Sequence, residues 1–155
     1  MEALISKLGL VPLLQANSCV GWFKEEHRSS LVTQSTAIED SRTAVTVIYH
    51  LMSHEQKSKW HRLSKNDEII VFNQGKPMQI DMINCKGEYS TCIIGIDSFH
   101  CVVPCGSWFT QQPITQRQEE YSLCTVCVAP GFDVRDLEVQ EIGQMQMLFP
   151  SLNLA

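Results

Sequence analysis

His61-Arg62-Leu63-Ser64-Lys65-Asn66-Asp67-Glu68-Ile69-Ile70-Val71-Phe72-Asn73-Gln74-Gly75 is the stretch on which the fold reading turns. Its second half carries an apolar run of strand length, Glu68 to Phe72, ended by the turn residues Asn73-Gln74-Gly75. In its first half His61 and Arg62 are adjacent, so on a strand their side chains point to opposite faces. With His61 turned into the protein, Arg62 turns out.

The same rhythm extends in both directions. Short runs rich in Val, Ile, Thr, Cys and aromatics recur at Cys19 to Phe23, Ala44 to Met52, Met78 to Ile83, Thr91 to Ile96, Cys101 to Val103 and Ser122 to Ala129. Asn84-Cys85-Lys86-Gly87, Pro104-Cys105-Gly106 and Pro130-Gly131 punctuate them. Many short strands with tight turns predict an antiparallel sandwich or barrel, spanning about residues 19–129. Helical spacing marks only the two ends. Leu4, Ile5 and Leu8 predict a short N-terminal helix, and Leu137, Val139, Ile142, Met145 and Leu148 one amphipathic helix stopping before Pro150. Ser29 to Ser41 is polar and reads as a long surface loop. With neither repeat nor linker, the 155 residues read as a single domain.

Composition narrows the function classes. Apolar residues make up 44% and charged residues 19%, which is globular rather than disordered. The net charge is −5 and the twelve Lys and Arg are scattered, so no nucleic-acid groove is expected. No apolar run approaches the ~20 residues that span a bilayer. Glu2 and Lys7 spoil the first residues as a signal peptide, and seven cysteines, an odd count, suggest no disulfide framework. A cytoplasmic protein is expected.

The opening stretch also resembles the first motif of the cupins. That motif has two histidines one residue apart, a Glu after four intervening residues, and a Gly seven residues beyond the Glu. His61, Glu68 and Gly75 match it, and Leu63 stands at the second histidine. Gly95 to Gly106, with Pro104-Cys105-Gly106, resembles the frame of the second motif, with Phe109 about where its histidine belongs. Trp60-His61-Arg62, Asp67-Glu68, Val103-Pro104, Gly106, Trp108 and Val128-Ala129-Pro130-Gly131-Phe132-Asp133 resemble the small cupins catalogued as a domain of unknown function, cupin type 5. Leu8-Gly9-Leu10-Val11-Pro12 and Arg28-Ser29 extend the likeness to nearly the full length. One departure is plain: a His-Pro-Glu-Gly-Gly stretch usual in that family is replaced by Leu13 to Gly21, ahead of Trp22. The resemblance implies an all-β antiparallel jelly-roll barrel (a double-stranded β-helix) with short terminal helices, similar to sugar-nucleotide epimerases, and a homodimer.

The resemblance and the residues together bound the chemistry. Cupin metals usually take three histidines and a carboxylate, and Leu63 and Phe109 cannot ligate, so neither a metal nor another cofactor is expected. The epimerases of similar fold pair a histidine base with a tyrosine acid. Here His61, near Asp67 and Glu68, is the candidate base, and Tyr49 or Tyr121 the candidate acid. His61, Glu68, Trp108 and Arg42 are the expected ligand contacts, and an anionic ligand would want Arg42 or Arg28 inside. Cys124 and Cys127 lie three apart in one strand-like run, so their sulfurs diverge and form no redox pair. Val103 and Phe132 read as core. The expected function is small-molecule binding, with no activity assigned. Two alternatives stand beside it: a sugar or sugar-nucleotide isomerase or epimerase using His61, and an interaction protein whose pocket is vestigial.

Overall fold

The computed structural model describes residues 1–13, 20–35 and 38–154. After helix α1 (Glu2–Leu8), the described chain runs through β1 (Val11–Pro12), β2 (Trp22–Arg28), β3 (Val32–Ser35), β4 (Ile38–Thr43), β5 (Thr46–Ser53), β6 (Trp60–Leu63), β7 (Asp67–Gly75), β8 (Met78–Ile83), β9 (Tyr89–Ile94), β10 (His100–Val103), β11 (Trp108–Pro113), β12 (Tyr121–Ala129) and β13 (Leu137–Gln140) to helix α2 (Ile142–Leu148). A six-stranded sheet, in order β1-β2-β5-β12-β7-β10, faces a five-stranded sheet, β13-β6-β11-β8-β9, and all pairings are antiparallel. The sheets pack as a jelly-roll sandwich, not as one closed hydrogen-bonded barrel.

Alternation along each strand fills the space between the sheets. Ile70 from β7 and Val126 from β12 meet Ile80 from β8 and Phe109 from β11 in one buried cluster, with Val103 among them. The outer faces are covered at the chain ends. Helix α1 lays Leu4, Ile5 and Leu8 against Leu51 and Leu123, while Met145 of α2 and Leu154 cover Trp60, Ile83 and Trp108.

Three expectations are corrected by pairing that local sequence does not encode. Leu137 to Gln140 is not the first turn of the C-terminal helix. It is strand β13, paired with β6 through Leu137 opposite Leu63 and Val139 opposite His61, and only 142–148 is helical. Ser29 to Ser41 is not a loop throughout, since β3 and β4 pair as a two-stranded ribbon. The Asn73-Gln74-Gly75 turn signal lies at the end of β7, where a register shift marks a bulge against β12. Gly75 sits at φ +98°, and a Cβ there would lie 2.2 Å from the Tyr121 carbonyl oxygen. The run beginning at Cys19 falls partly outside the described residues.

Candidate functional site

Strands β6 and β7 belong to opposite sheets, joined by the short Ser64–Asn66 turn, and this sets His61 and Glu68 on facing walls. On β6, His61 and Leu63 point between the sheets, while Trp60 and Arg62 point out. Arg62 lies 4.7 Å from the centre of the Trp108 ring and donates from Nη2 to Glu138 at 2.7 Å. On β7, Glu68 stands opposite Val103 on one side and Val128 on the other. Both His61 and Glu68 line a cavity of about 420 Å3.

The cavity walls are largely apolar: Phe23 and Ile48 from β2 and β5, Leu63 from β6, Val126 and Val128 from β12, and Leu137 from β13. Its mouth is built by Leu13, Glu25, Arg28 and the segment Phe132–Val134. That segment is held in place on several sides. The Phe132 N–H donates to Thr46 Oγ1 at 3.0 Å, and Arg28 Nη1 donates to the Phe132 carbonyl at 3.2 Å. Arg42 donates from Nε and Nη2 to the two Asp136 oxygens at 3.2 Å each. Gly131 lets the chain pass close to the connection between β4 and β5, since a Cβ there would lie 2.2 Å from Thr43 Cγ2 and 3.0 Å from Thr46 Cγ2.

Burial controls the two ionisable groups inside. His61 is 3% exposed, and burial lowers its pKa, opposed by the Glu68 charge and by a 2.8 Å hydrogen bond from Nδ1 to the Lys59 carbonyl. That bond puts the proton of the neutral ring on Nδ1 and makes Nε2 its acceptor atom. Burial raises the Glu68 pKa, opposed by His61. The buried face of His61 rests on Phe109, with ring centroids 4.1 Å apart. Behind it lies a second buried histidine, His50, which donates from Nε2 to the Val20 carbonyl at 2.9 Å and accepts at Nδ1 from Gln111 Nε2 at 3.3 Å.

A metal does not suit this donor set. The register places Phe109 directly opposite His61, Leu63 is a cavity wall, and both His50 nitrogens are occupied. Among the described residues no group of three or more His, Cys, Asp or Glu is arranged to hold an ion.

The structure brings His61 and Glu68 together and separates the other predicted contacts from them. Trp108 precedes the inward Phe109 on β11 and therefore faces outward, buried beneath α2 with Trp60 and Met145. Arg42 is buried in its Asp136 ion pair and holds the mouth segment, where it was expected to touch ligand. Tyr49 and Tyr121 pack with Leu51 and Leu123 on the outer face of the six-stranded sheet, and none of the three tyrosines lines the cavity. Of the cations expected inside, Arg28 reaches the mouth. Of the two residues read as core, Val103 is 3% exposed and Phe132 is half-buried on the cavity wall. Cys124 is buried in the core and Cys127 lies half-buried on the opposite face of β12, so the two do sit on opposite sides of the sheet. Glu25, Asp133 and Val134 were not anticipated. The Gly131-Phe132-Asp133 signature was the available signal for that end of the site.

Comparison with known structures agrees with this architecture. A hypothetical protein from Leishmania major is 28% identical, with a TM-score of 0.84 over 97% of this chain and 92% of its own. A Shewanella oneidensis protein is 25% identical, with a TM-score of 0.80 over 97% and 90% of the two chains. The capsular polysaccharide assembling protein CapF of Staphylococcus aureus shares the fold at 14% identity and a TM-score of 0.62, with 33% of its length covered. No similar sequence was found among curated proteins. The family described as Cupin superfamily (DUF985) matches residues 2–140, and this chain belongs to it.

Proposed function

We propose that the protein binds a small organic molecule in the cavity between its sheets, without a catalytic metal. The observation that carries this reading is the pair of buried His61 and half-buried Glu68, set across a largely apolar cavity of about 420 Å3. Two convergent polar groups in a mostly apolar, preformed pocket are the usual anatomy of a small-molecule site. Catalysis through His61 as a base has less support, because a phenolic acid on the facing wall would have to come from a tyrosine, and all three lie elsewhere.

Native mass spectrometry of protein purified without denaturation, with metal analysis of the same sample, tests the proposal. The expected result is a bound organic mass that is lost or weakened in His61→Ala, with well under one equivalent of Zn, Fe, Mn or Ni. Stoichiometric metal that survives dialysis and disappears in His61→Ala would overturn the metal-free reading. A co-purifying ligand retained unchanged in His61→Ala would remove the pair from the site.

A further inference from the structure

The charges around the cavity are already matched within the protein. Among the described residues its ionisable lining consists of Glu25, Arg28, His61, Glu68 and Asp133. Arg28, the permanent cation of that set, donates from Nε and Nη2 to the two Glu25 oxygens at 2.9 and 2.8 Å, and from Nη1 to the Phe132 carbonyl. The arginines behind the mouth are engaged too: Arg42 with Asp136, and Arg135 with Asp133 at 2.9 and 2.8 Å. Residues 14–19 and 36–40 contain no Lys or Arg, so they supply no further cation.

An anionic ligand would therefore meet the ion-paired Glu25 and Asp133 carboxylates and the Glu68 carboxyl, with the one arginine of the lining already committed to Glu25. Moving a phosphate or carboxylate from water into such a place is unfavourable when nothing compensates its lost hydration. An apolar body loses nothing by entering, because Phe23, Ile48, Leu63, Val126 and Val128 offer it contact. The inner end differs. There His61 and Glu68 stand on facing walls, and burial works against the charged form of each. A hydroxyl or carbonyl group complements both without bringing a charge.

We infer that the ligand is an uncharged, largely apolar molecule that presents one hydroxyl or carbonyl group to His61 and Glu68, rather than a phosphorylated or carboxylated metabolite. The inference rests on the proposed use of the cavity as a ligand site. It separates this chain from any role that requires a sugar nucleotide.

A series matched in chain length isolates the charge of the head group. Octan-1-ol, octan-2-one, octanoate, octylammonium and UDP-glucose are titrated calorimetrically into the intact protein in mildly alkaline buffer. The alcohol and the ketone are expected to bind at least about tenfold more tightly than octanoate, and UDP-glucose not to bind. Val134→Trp, at an exposed residue of the mouth, should weaken the alcohol about tenfold. Glu68→Gln, which keeps a neutral donor and acceptor at that position, should leave the preference for the alcohol over octanoate in place. Should octanoate, octylammonium or UDP-glucose match the alcohol and lose affinity in Val134→Trp, the uncharged class is wrong, yet the cavity remains a ligand site. If no compound binds more tightly to the wild type than to a folded Val134→Trp variant, the cavity reading falls together with the ligand class.

Discussion

His61 and Phe109 touch, and removing each in turn asks different things of the fold. Phe109 is fully buried at the centre of the core, on a strand paired to both β6 and β8. Phe109→Ala leaves a closed void among Ile70, Ile80 and Val126 and should cost ~3–5 kcal/mol. His61→Ala empties space into a cavity that is already open at its mouth, so no sealed void forms. It loses ring contact with Phe109 and the Nδ1–H bond to the Lys59 carbonyl, together about 1–2 kcal/mol, partly offset by removing a desolvated imidazole. For a chain of this size each kcal/mol moves Tm by roughly 2–4 °C, so Phe109→Ala should fall by about 6–20 °C and His61→Ala by about 2–8 °C. Urea unfolding followed by circular dichroism gives the two free energies directly, and a double-mutant cycle gives their coupling. Equal losses in the two variants would make His61 a packing residue. The argument that the cavity is maintained for a ligand would then lose its central side chain.

Two further measurements address other parts of the molecule. The Glu120 carboxylate accepts from the Gln116 backbone N–H at 2.7 Å, from Lys76 Nζ at 3.0 Å and from the Arg117 backbone at 3.2 Å, which hold its pKa down to about 2. A carboxyl with a depressed folded pKa stabilises at pH values above its unfolded pKa. That stability is lost as pH falls from the ordinary 4.5 toward about 2, and Glu120→Gln should flatten this part of the stability profile. An unchanged acid slope in the variant would show that the nest does not form in solution. The chain is also expected to form a homodimer, since Phe99 and Val102 are 60% and 47% exposed beside an edge strand of the six-stranded sheet. Sedimentation at micromolar concentration should find twice the single-chain mass, and a species of one chain alone would refute it.

Sequence alone determined the strand-rich fold class, the family and the opposite facing of His61 and Arg62. Each depends on local patterning: alternation along a strand, turn residues at fixed offsets, and the His61–Glu68–Gly75 spacing that survives without its metal partners. Cys124 and Cys127 were separated correctly by the same two-residue period. Which residues share a cavity was a different matter. Trp108 looked like a neighbour of the site because it adjoins the second-motif turn, but one step along β11 turns it outward beneath α2. Tyr49 and Tyr121 lie in recognisable strands, yet the parity of each strand, set by pairing with distant partners, points them under α1. Arg42 is drawn into an ion pair with Asp136, 94 positions along the chain. Leu137 to Gln140 has apolar residues at a spacing that suits a helix, and becomes a strand because β6 offers an unpaired edge. Only the tertiary structure decided these points, because each is set by contacts between segments far apart in sequence, which no local period records.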